Sequence, residues 1–269
     1  GDKEVVFSGG EPLLHESIIE IIEGYSQRGF KVGLASNGVL ITKDTARQLR
    51  QAGLRNIQLS FDSAHPETHD FLRGVKGTYE KVLKGAEHLR VYKDEISVCA
   101  QTVISGKNIS EIKDTIEFVT KDDRFDFISF MAVTTPFFAP VGDDWRSKDE
   151  FAFLWPESQE VDRVIDEIIV MKEKGYPIAN PVGQFELFRS YFHDPQKRIP
   201  EIRCRLGDYV LSVDPGGDIR LCCFMEPIGN IKDDSLSLLM ASPSVNEIRS
   251  KMNQCGQTCN TLVNCFFQE

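Results

Sequence analysis

Two sets of residues in this chain have the types and spacing for chemistry: a glycine loop near its start and a group of cysteines near its end. The loop is Gly9-Gly10-Glu11-Pro12, which follows the apolar run Val5-Val6-Phe7 with one residue, Ser8, between them. A strand that stops at a glycine pair, with polar atoms at its carboxyl end, is how an α/β barrel builds a ligand site. The other interpretation of Glu11 and Pro12 is a helix start, where the helix dipole favours an acid.

The cysteines are distributed unevenly. Cys99 stands alone in the first two hundred residues, and we expect it to be a small buried residue. The remaining six follow position 203: Cys204, Cys222, Cys223, Cys255, Cys259 and Cys265. Because the total is odd and no secretory signal segment is present, a disulfide framework is disfavoured. Four thiolates can hold an iron–sulfur cluster or a structural zinc, so we expect one of these sites in the tail.

Composition narrows the classes of partner. The 269 residues carry a formal net charge of −10, which argues against nucleic acid and anionic membranes as partners. No run approaches the roughly 18 apolar residues of a membrane span. We therefore expect a cytoplasmic protein with room for one barrel and a small appendage. The chain enters a strand almost at once, and we expect it to be a piece of something longer.

The elements that must position these residues alternate between strand and helix. Glycines at 29, 53 and 175 are expected to end helices, the last of them covering Glu157–Lys174. Asn108 and Glu111 have the spacing of a capping box ahead of another helix. This order indicates repeated βα units and a parallel sheet. The five predicted strands are Glu4–Ser8, Lys31–Ser36, Asn56–Asp62, Glu95–Ile104 and Phe125–Met131.

One face of the predicted strands is polar. Because successive side chains of a strand point to opposite faces, Gln58, Ser60 and Asp62 share one face. Gln101 has the same position on the next strand, and Asn37 follows the second strand. Polar side chains here predict a hollow that binds something polar, whereas a closed core would carry branched aliphatic residues. The alternative for Ser60 and Asp62 is a strand-end cap. The opposite, apolar face of the third strand carries Ile57, Leu59 and Phe61.

The pattern of the sequence changes after Pro200. Tyr209–Val213 and Asp218–Cys222 flank the turn Asp214-Pro215-Gly216-Gly217 and predict a β-hairpin. Ser244–Met252 is a predicted short helix. We therefore divide the chain into residues 1–190 and a small cysteine-rich domain, residues 191–269.

Five motifs in order resemble the core of the radical S-adenosylmethionine (radical SAM) enzymes. They are SGGEP at 8–12, SNG at 36–38, LSFD at 59–62, HDFLRG at 69–74 and TVISGKN at 102–108. The resemblance implies an α/β fold, a partial (β/α) TIM-like barrel of the radical SAM type from which the first βα unit is missing. It also implies two cofactors, SAM and a 4Fe-4S cluster. One electron, from a partner such as flavodoxin or ferredoxin, cleaves SAM to a radical that takes a hydrogen atom from a peptide or small-molecule substrate.

The resemblance also assigns roles by position. Gly9, Gly10 and Glu11 are expected at the methionine amino group, and Ser60 and Asp62 at the ribose or methionine end. Arg73 is expected to hold the SAM carboxylate or to cap a loop. Asn37 and Gln101 are expected to line the pocket. The pair His65 and His69 has i,i+4 spacing but no third ligand nearby, so a solvated helix face is expected there rather than zinc.

One part of the family pattern is missing. The family holds its catalytic cluster with a CxxxCxxC motif before the glycine loop, and none of the eight residues before Gly9 is a cysteine. As written, the chain is therefore expected not to bind the catalytic cluster and to be inactive.

The tail resembles the twitch or SPASM domains that carry auxiliary iron–sulfur clusters. The resemblance favours Cys204, Cys222, Cys255 and Cys259 as the ligands of one auxiliary cluster, with Cys265 in reserve and Cys223 as a free core thiol. A hypothesis from another class is a non-catalytic binding module with a degenerate barrel and a zinc-stapled tail. A phosphate-binding metabolite barrel is weaker still, because no glycine-rich phosphate loop is present.

Overall fold

The computed structural model describes residues 3–134, 145–195, 206–222, 224–255 and 263–264. The chain forms two compact units: residues 1–133 with 146–185, and residues 134–145 with 186–269. The division at 190/191 into a barrel core and a cluster domain stays a prediction. Within the described ranges, no helix combines the length and the apolar character that a membrane crossing requires.

The first unit contains a five-stranded sheet. All of its strands run parallel and lie side by side in chain order. The predicted parallel α/β architecture is confirmed, and predicted strand ends differ from the observed ones by at most two residues. The strands are β1 (Glu4–Phe7), β2 (Lys31–Ser36), β3 (Leu54–Ser60), β4 (Ser97–Ile104) and β5 (Phe127–Ala132).

Helices connect these strands, as the βα pattern predicts. Gly29 and Gly53 follow the first two helices with φ of 81° and 90°, a left-handed conformation that favours glycine. The side chain of Thr42 caps α2 by accepting a hydrogen bond from the backbone N of Thr45. The helices are α1 (Ile18–Gln27), α2 (Lys43–Gln51), α3 (Pro66–Arg73), α4 (Thr78–Arg90), α5 (Ile112–Lys121) and α6 (Ser158–Glu173).

The predicted capping box at Asn108 and Glu111 is wrong. Asn108 is fully buried, and its amide nitrogen donates to the backbone oxygens of Asp62 (2.6 Å) and Val103 (2.9 Å). Buried polar groups need partners, and here distant loops provide them instead of the helix. The Glu111 carboxylate likewise accepts hydrogen bonds from two hydroxyls that follow β3, those of Ser63 (2.5 Å) and Thr68 (2.8 Å).

The apolar face of β3 packs into the core, as predicted from alternation. Ile57, Leu59 and Phe61 are fully buried. The Phe61 ring is the centre of an aromatic cluster that fixes the end of this strand. Its ring neighbours, with centroid distances of 5.4 to 5.7 Å, are Phe118, Phe125, His69 and Tyr79.

The second unit contains the predicted hairpin. Strands β6 (Ser212–Val213) and β7 (Asp218–Arg220) are antiparallel, and the turn closes with a 2.9 Å hydrogen bond from Gly217 N to Asp214 O. The prediction was too long at its start, because Tyr209 ends a short helix. Helix α7 (Val182–His193) includes the point where the first unit ends. The remaining elements of this part of the chain are α8 (Leu206–Tyr209), β8 (Gly229–Asn230), α9 (Leu236–Met240) and α10 (Pro243–Gln254).

Candidate cofactor-binding site

A cavity of about 680 Å³ lies at the carboxyl ends of the strands of the parallel sheet. Its size is within the range of small-molecule sites, and its position is that of ligand sites in α/β sheets. Of the seven residues predicted to bind the cofactor, the cavity lining includes all except Asp62, that is, Gly9, Gly10, Glu11, Asn37, Ser60 and Gln101. Residues more than ninety positions apart are therefore brought to one site.

The glycine loop forms an open edge of this cavity. Gly9 has a φ of 144°, which side-chain-bearing residues rarely adopt. A Cβ added at Gly9 or Gly10 would meet no atom within 4 Å, so both residues face empty space. The pair therefore leaves room for a ligand to approach the backbone.

The Glu11 carboxylate ties the loop to the end of β2. Its Oε2 accepts a hydrogen bond from Asn37 N (2.8 Å), and its Oε1 accepts from Ser36 Oγ (2.8 Å) and Leu13 N (3.1 Å). Both carboxylate oxygens are thus engaged within the protein. The structure gives Glu11 a positioning role, and its contact with the methionine amino group stays a prediction.

Ser60 and Gln101 are cross-strand neighbours in the register of β3 and β4. The Gln101 amide nitrogen donates to Ser129 O (3.0 Å), which fixes the side chain and leaves its oxygen as an acceptor. The Asn37 side-chain oxygen accepts from Val39 N (2.9 Å), which leaves its amide nitrogen as a donor. Within the described part of the chain, the Ser60 hydroxyl has no hydrogen-bond partner. The wall therefore offers both donors and acceptors.

Asp62 lies outside the cavity lining. It is 4% exposed and accepts hydrogen bonds from Arg73 Nη2 (2.6 Å) and Val103 N (3.0 Å). Burial raises the pKa of Asp62, and the Arg73 guanidinium opposes that shift. Arg73 does line the cavity, and its buried Nε has no hydrogen-bond partner among the described residues. Asp62 thus holds Arg73 in place, and its direct contact with a ligand stays a prediction.

The expected solvated face for the histidine pair is wrong for His69. His65 is exposed and pairs with Asp114 (3.1 Å), but His69 is only 1% exposed and lines the cavity. The i,i+4 spacing of His69 and Arg73 was the available signal, since it places both on one helix face. Sequence reasoning also missed Thr78 and Lys81, which line the cavity from α4.

The cysteines of the tail are only partly covered by the description. Cys222 packs partly buried against the apolar core of the second unit, and Cys255 is exposed at the end of α10. No three potential metal ligands meet within the described ranges. The cluster ligands therefore stay a prediction. The remaining positions, Cys204, Cys223, Cys259 and Cys265, lie outside the described residues.

Cys99 behaves as expected for a small core residue. It is 2% exposed, and burial raises the pKa of its thiol to about 12. A thiol with such a pKa stays protonated and unreactive near neutral pH.

Two family models match separate segments of the chain. Residues 1–119 match the radical SAM superfamily, and residues 204–265 match SPASM, an iron-sulfur cluster-binding domain. The first segment of the chain is thus similar to the radical SAM superfamily, and a later segment is similar to SPASM. The predicted cofactors, SAM and an iron–sulfur cluster, are those for which the two families are named.

Individual relatives agree with this assignment. AdoMet-dependent heme synthase of Methanosarcina barkeri is 36% identical over 135 residues, which cover 50% of this chain and 38% of that protein. The chain spans about two fifths of the curated relatives it matches. The solved structure of anSMEcpe with bound AdoMet superposes with a TM-score of 0.66 and 17% identity, over 98% of this chain and 74% of that one.

A second solved structure, Streptococcus suis SuiB bound to precursor peptide SuiA, has a TM-score of 0.64 and 15% identity. It covers 92% of this chain and 56% of that one. At these identities, both structures show a shared fold.

Two features of the cavity itself fit SAM. Empty space beside Gly9 and Gly10 gives a ligand access to the backbone there. The orphaned Nε of Arg73 shows that the cationic wall has unused hydrogen-bonding capacity, which suits the carboxylate end of an amino acid.

Proposed function

We propose that this chain is the SAM-binding part, with the auxiliary-cluster domain, of a radical SAM enzyme that abstracts a hydrogen atom from a peptide or small-molecule substrate. The observation that carries the proposal is the single cavity shared by six of the seven residues predicted for the cofactor. When bound and reduced by one electron, SAM supplies the adenosyl radical that performs the abstraction.

The chain's own residues bind and orient the cofactor. Gly9 and Gly10 present backbone to the ligand, and Glu11 holds their loop against β2. Ser60 and Gln101 supply a hydroxyl and an amide oxygen from the sheet, and Arg73 supplies a cationic wall. Hydrogen bonds to neighbouring backbone hold Glu11 and Gln101, and the ion pair with Asp62 holds Arg73, so these groups are in place before the ligand binds.

Two similar proteins support the two proposed substrate classes, one a small molecule and the other a peptide. The heme synthase relative is named for a small-molecule product, and SuiB was solved with a precursor peptide. We keep both classes, with a cytoplasmic location and a reducing protein such as flavodoxin or ferredoxin as the electron source.

A non-catalytic binding module stays the alternative hypothesis. Under that hypothesis a zinc would staple the tail and no radical chemistry would occur. The presence of a CxxxCxxC segment encoded directly upstream of Gly1 would favour the enzyme.

Binding of S-adenosylhomocysteine to the purified chain, measured by calorimetry, tests the site. We expect saturable binding that Ser60→Leu weakens at least tenfold, because the leucine side chain would fill part of the cavity. The matched control is Ser158→Leu, at an exposed position that opens α6. No binding by the parent chain, or equal binding by both variants, would contradict the proposed site.

The enzyme itself is tested on a form of the protein in which CxxxCxxC precedes Gly1. With dithionite and SAM under anaerobic conditions, we expect 5′-deoxyadenosine and methionine in equal amounts. Binding without any cleavage in that form would favour the module.

A further inference from the structure

His69 occupies a fixed position on the wall of the cavity. Helix α3, which carries it, begins at Pro66 and ends at Arg73, and the following Gly74, whose φ is 69°, stops the helix. The imidazole ring packs beside the rings of Phe61 (5.6 Å) and Tyr79 (5.9 Å). With only 1% of the residue exposed, the ring cannot swing out into solvent without disrupting this cluster.

A backbone hydrogen bond selects the tautomer of His69. The Asp62 N–H donates to Nδ1 at a distance of 3.2 Å. A nitrogen that accepts a hydrogen bond carries no proton, so the ring proton of the neutral form lies on Nε2.

Burial and the neighbouring Arg73 keep the ring neutral. The Arg73 cation lies on the same helix, and its partner Asp62 is already engaged with it. The Asp70 carboxylate is occupied by the α3–α4 turn, where it accepts hydrogen bonds from Gly77 N, Thr78 Oγ1 and Tyr79 N. Burial first, and Arg73 second, lower the pKa of His69 to about 4.

The remaining nitrogen is the one available to a ligand. Nε2 forms no hydrogen bond with any residue that the structure describes, although the ring lines the cavity. A largely buried donor without a partner is costly, so an acceptor that reaches it gains the full hydrogen bond. An uncharged donor also tolerates a cationic ligand, which a protonated imidazole beside Arg73 would repel.

We infer that the Nε2–H group of His69 is a fixed, uncharged hydrogen-bond donor to an oxygen or nitrogen acceptor of the adenosyl ligand. The inference rests on the proposed function, since the ligand is the one proposed above. It gives the histidine of the HDFLRG motif a binding role in addition to its packing role.

Two substitutions separate the two nitrogens. In His69→Asn the amide oxygen can take the place of Nδ1 and accept from Asp62 N, but no group reaches as far as Nε2. In His69→Gln the longer amide can replace the Nε2–H donor. With S-adenosylhomocysteine as the probe, we expect His69→Asn to bind about fivefold more weakly and His69→Gln to stay within about twofold of the parent chain.

The parent chain provides a readout that does not depend on either variant folding. Two-bond ¹H–¹⁵N spectra of histidine-labelled protein should show His69 with its proton on Nε2, and that signal should move when S-adenosylhomocysteine is added. A proton on Nδ1, or a His69 signal that is unaffected by saturating ligand, would overturn the inference.

The outcomes also distinguish this inference from the proposed function. If the parent chain binds the probe and both variants bind it equally well, His69 is not a ligand contact and the adenosyl site stands. If the parent chain does not bind the probe at all, the adenosyl site itself fails.

Discussion

Removing the Glu11 carboxylate should release the glycine loop from the sheet. The carboxylate accepts three hydrogen bonds, from Leu13 N, Ser36 Oγ and Asn37 N, and joins segments 26 positions apart in the chain. In Glu11→Ala these donors lose their partner. In Glu11→Gln the shape is kept, but the amide NH2 replaces one acceptor and faces a donor.

The size of the effect follows from the charge and the burial of Glu11. A hydrogen bond to a charged group contributes about 1.5–3 kcal/mol, and the three bonds share one partly exposed carboxylate, so their contributions do not add. Water can also reach part of the loop. We expect Glu11→Ala to lower the free energy of unfolding by about 2–3 kcal/mol and Glu11→Gln by about 1–2 kcal/mol.

Urea denaturation followed by circular dichroism measures these values, and calorimetry with S-adenosylhomocysteine measures the consequence for the site. Glu16→Gln is the matched control, since Glu16 is exposed five positions further along the same segment. If Glu11→Ala is as stable as this control and binds the ligand as tightly as the parent chain, the carboxylate does not hold the loop.

Three further predictions concern the neighbourhood of the site. The folded-state pKa of His69 is about 4, below its ordinary value of 6.5, so protons bind the unfolded chain first as the pH falls. Between about pH 6.5 and 4 the free energy of unfolding of the parent chain should therefore fall by about 2–4 kcal/mol, and that of His69→Asn should not. Parallel pH profiles of the two proteins would refute this. Three donors of the α3–α4 turn hold the pKa of Asp70 near 2. Asp70→Asn should therefore lower the melting temperature and reduce the loss of stability below about pH 4. An unchanged melting curve would contradict that role. Gly38→Ala should destabilise the fold by about 1–3 kcal/mol in urea denaturation. The φ of Gly38 is 77°, and the new Cβ would lie 2.8 Å from Val82 Cγ2. An equally stable variant would show that the turn adapts.

Those parts of the fold that local patterns determine could be predicted from the sequence. The alternation of Gln58 and Ser60 with buried apolar neighbours gave the two faces of β3, and the helix ends at Gly29 and Gly53 follow from backbone torsions. Six of seven candidate site residues could be placed together because parallel strands end at one edge of a sheet.

The rest depends on contacts between segments that the sequence does not pair. The capping spacing of Asn108 and Glu111 is a local signal, and buried loop contacts outcompeted it. Nothing local shows that the Glu11 carboxylate is used within the protein. The i,i+4 spacing that links His69 to Arg73 also links it to His65, so spacing alone cannot show that His69 is buried while His65 is exposed. Strand alternation predicted Asp62 in the cavity lining. Alternation alone cannot show that Arg73, on helix α3, pairs with Asp62 and covers it.

The most direct measurement is the iron, acid-labile sulfide and zinc content of the chain after anaerobic purification and reconstitution. The account predicts about four iron and four sulfide per chain, held by the tail and lost in Cys255→Ala but kept in Cys99→Ala. Zinc without iron would contradict the account and favour the binding module.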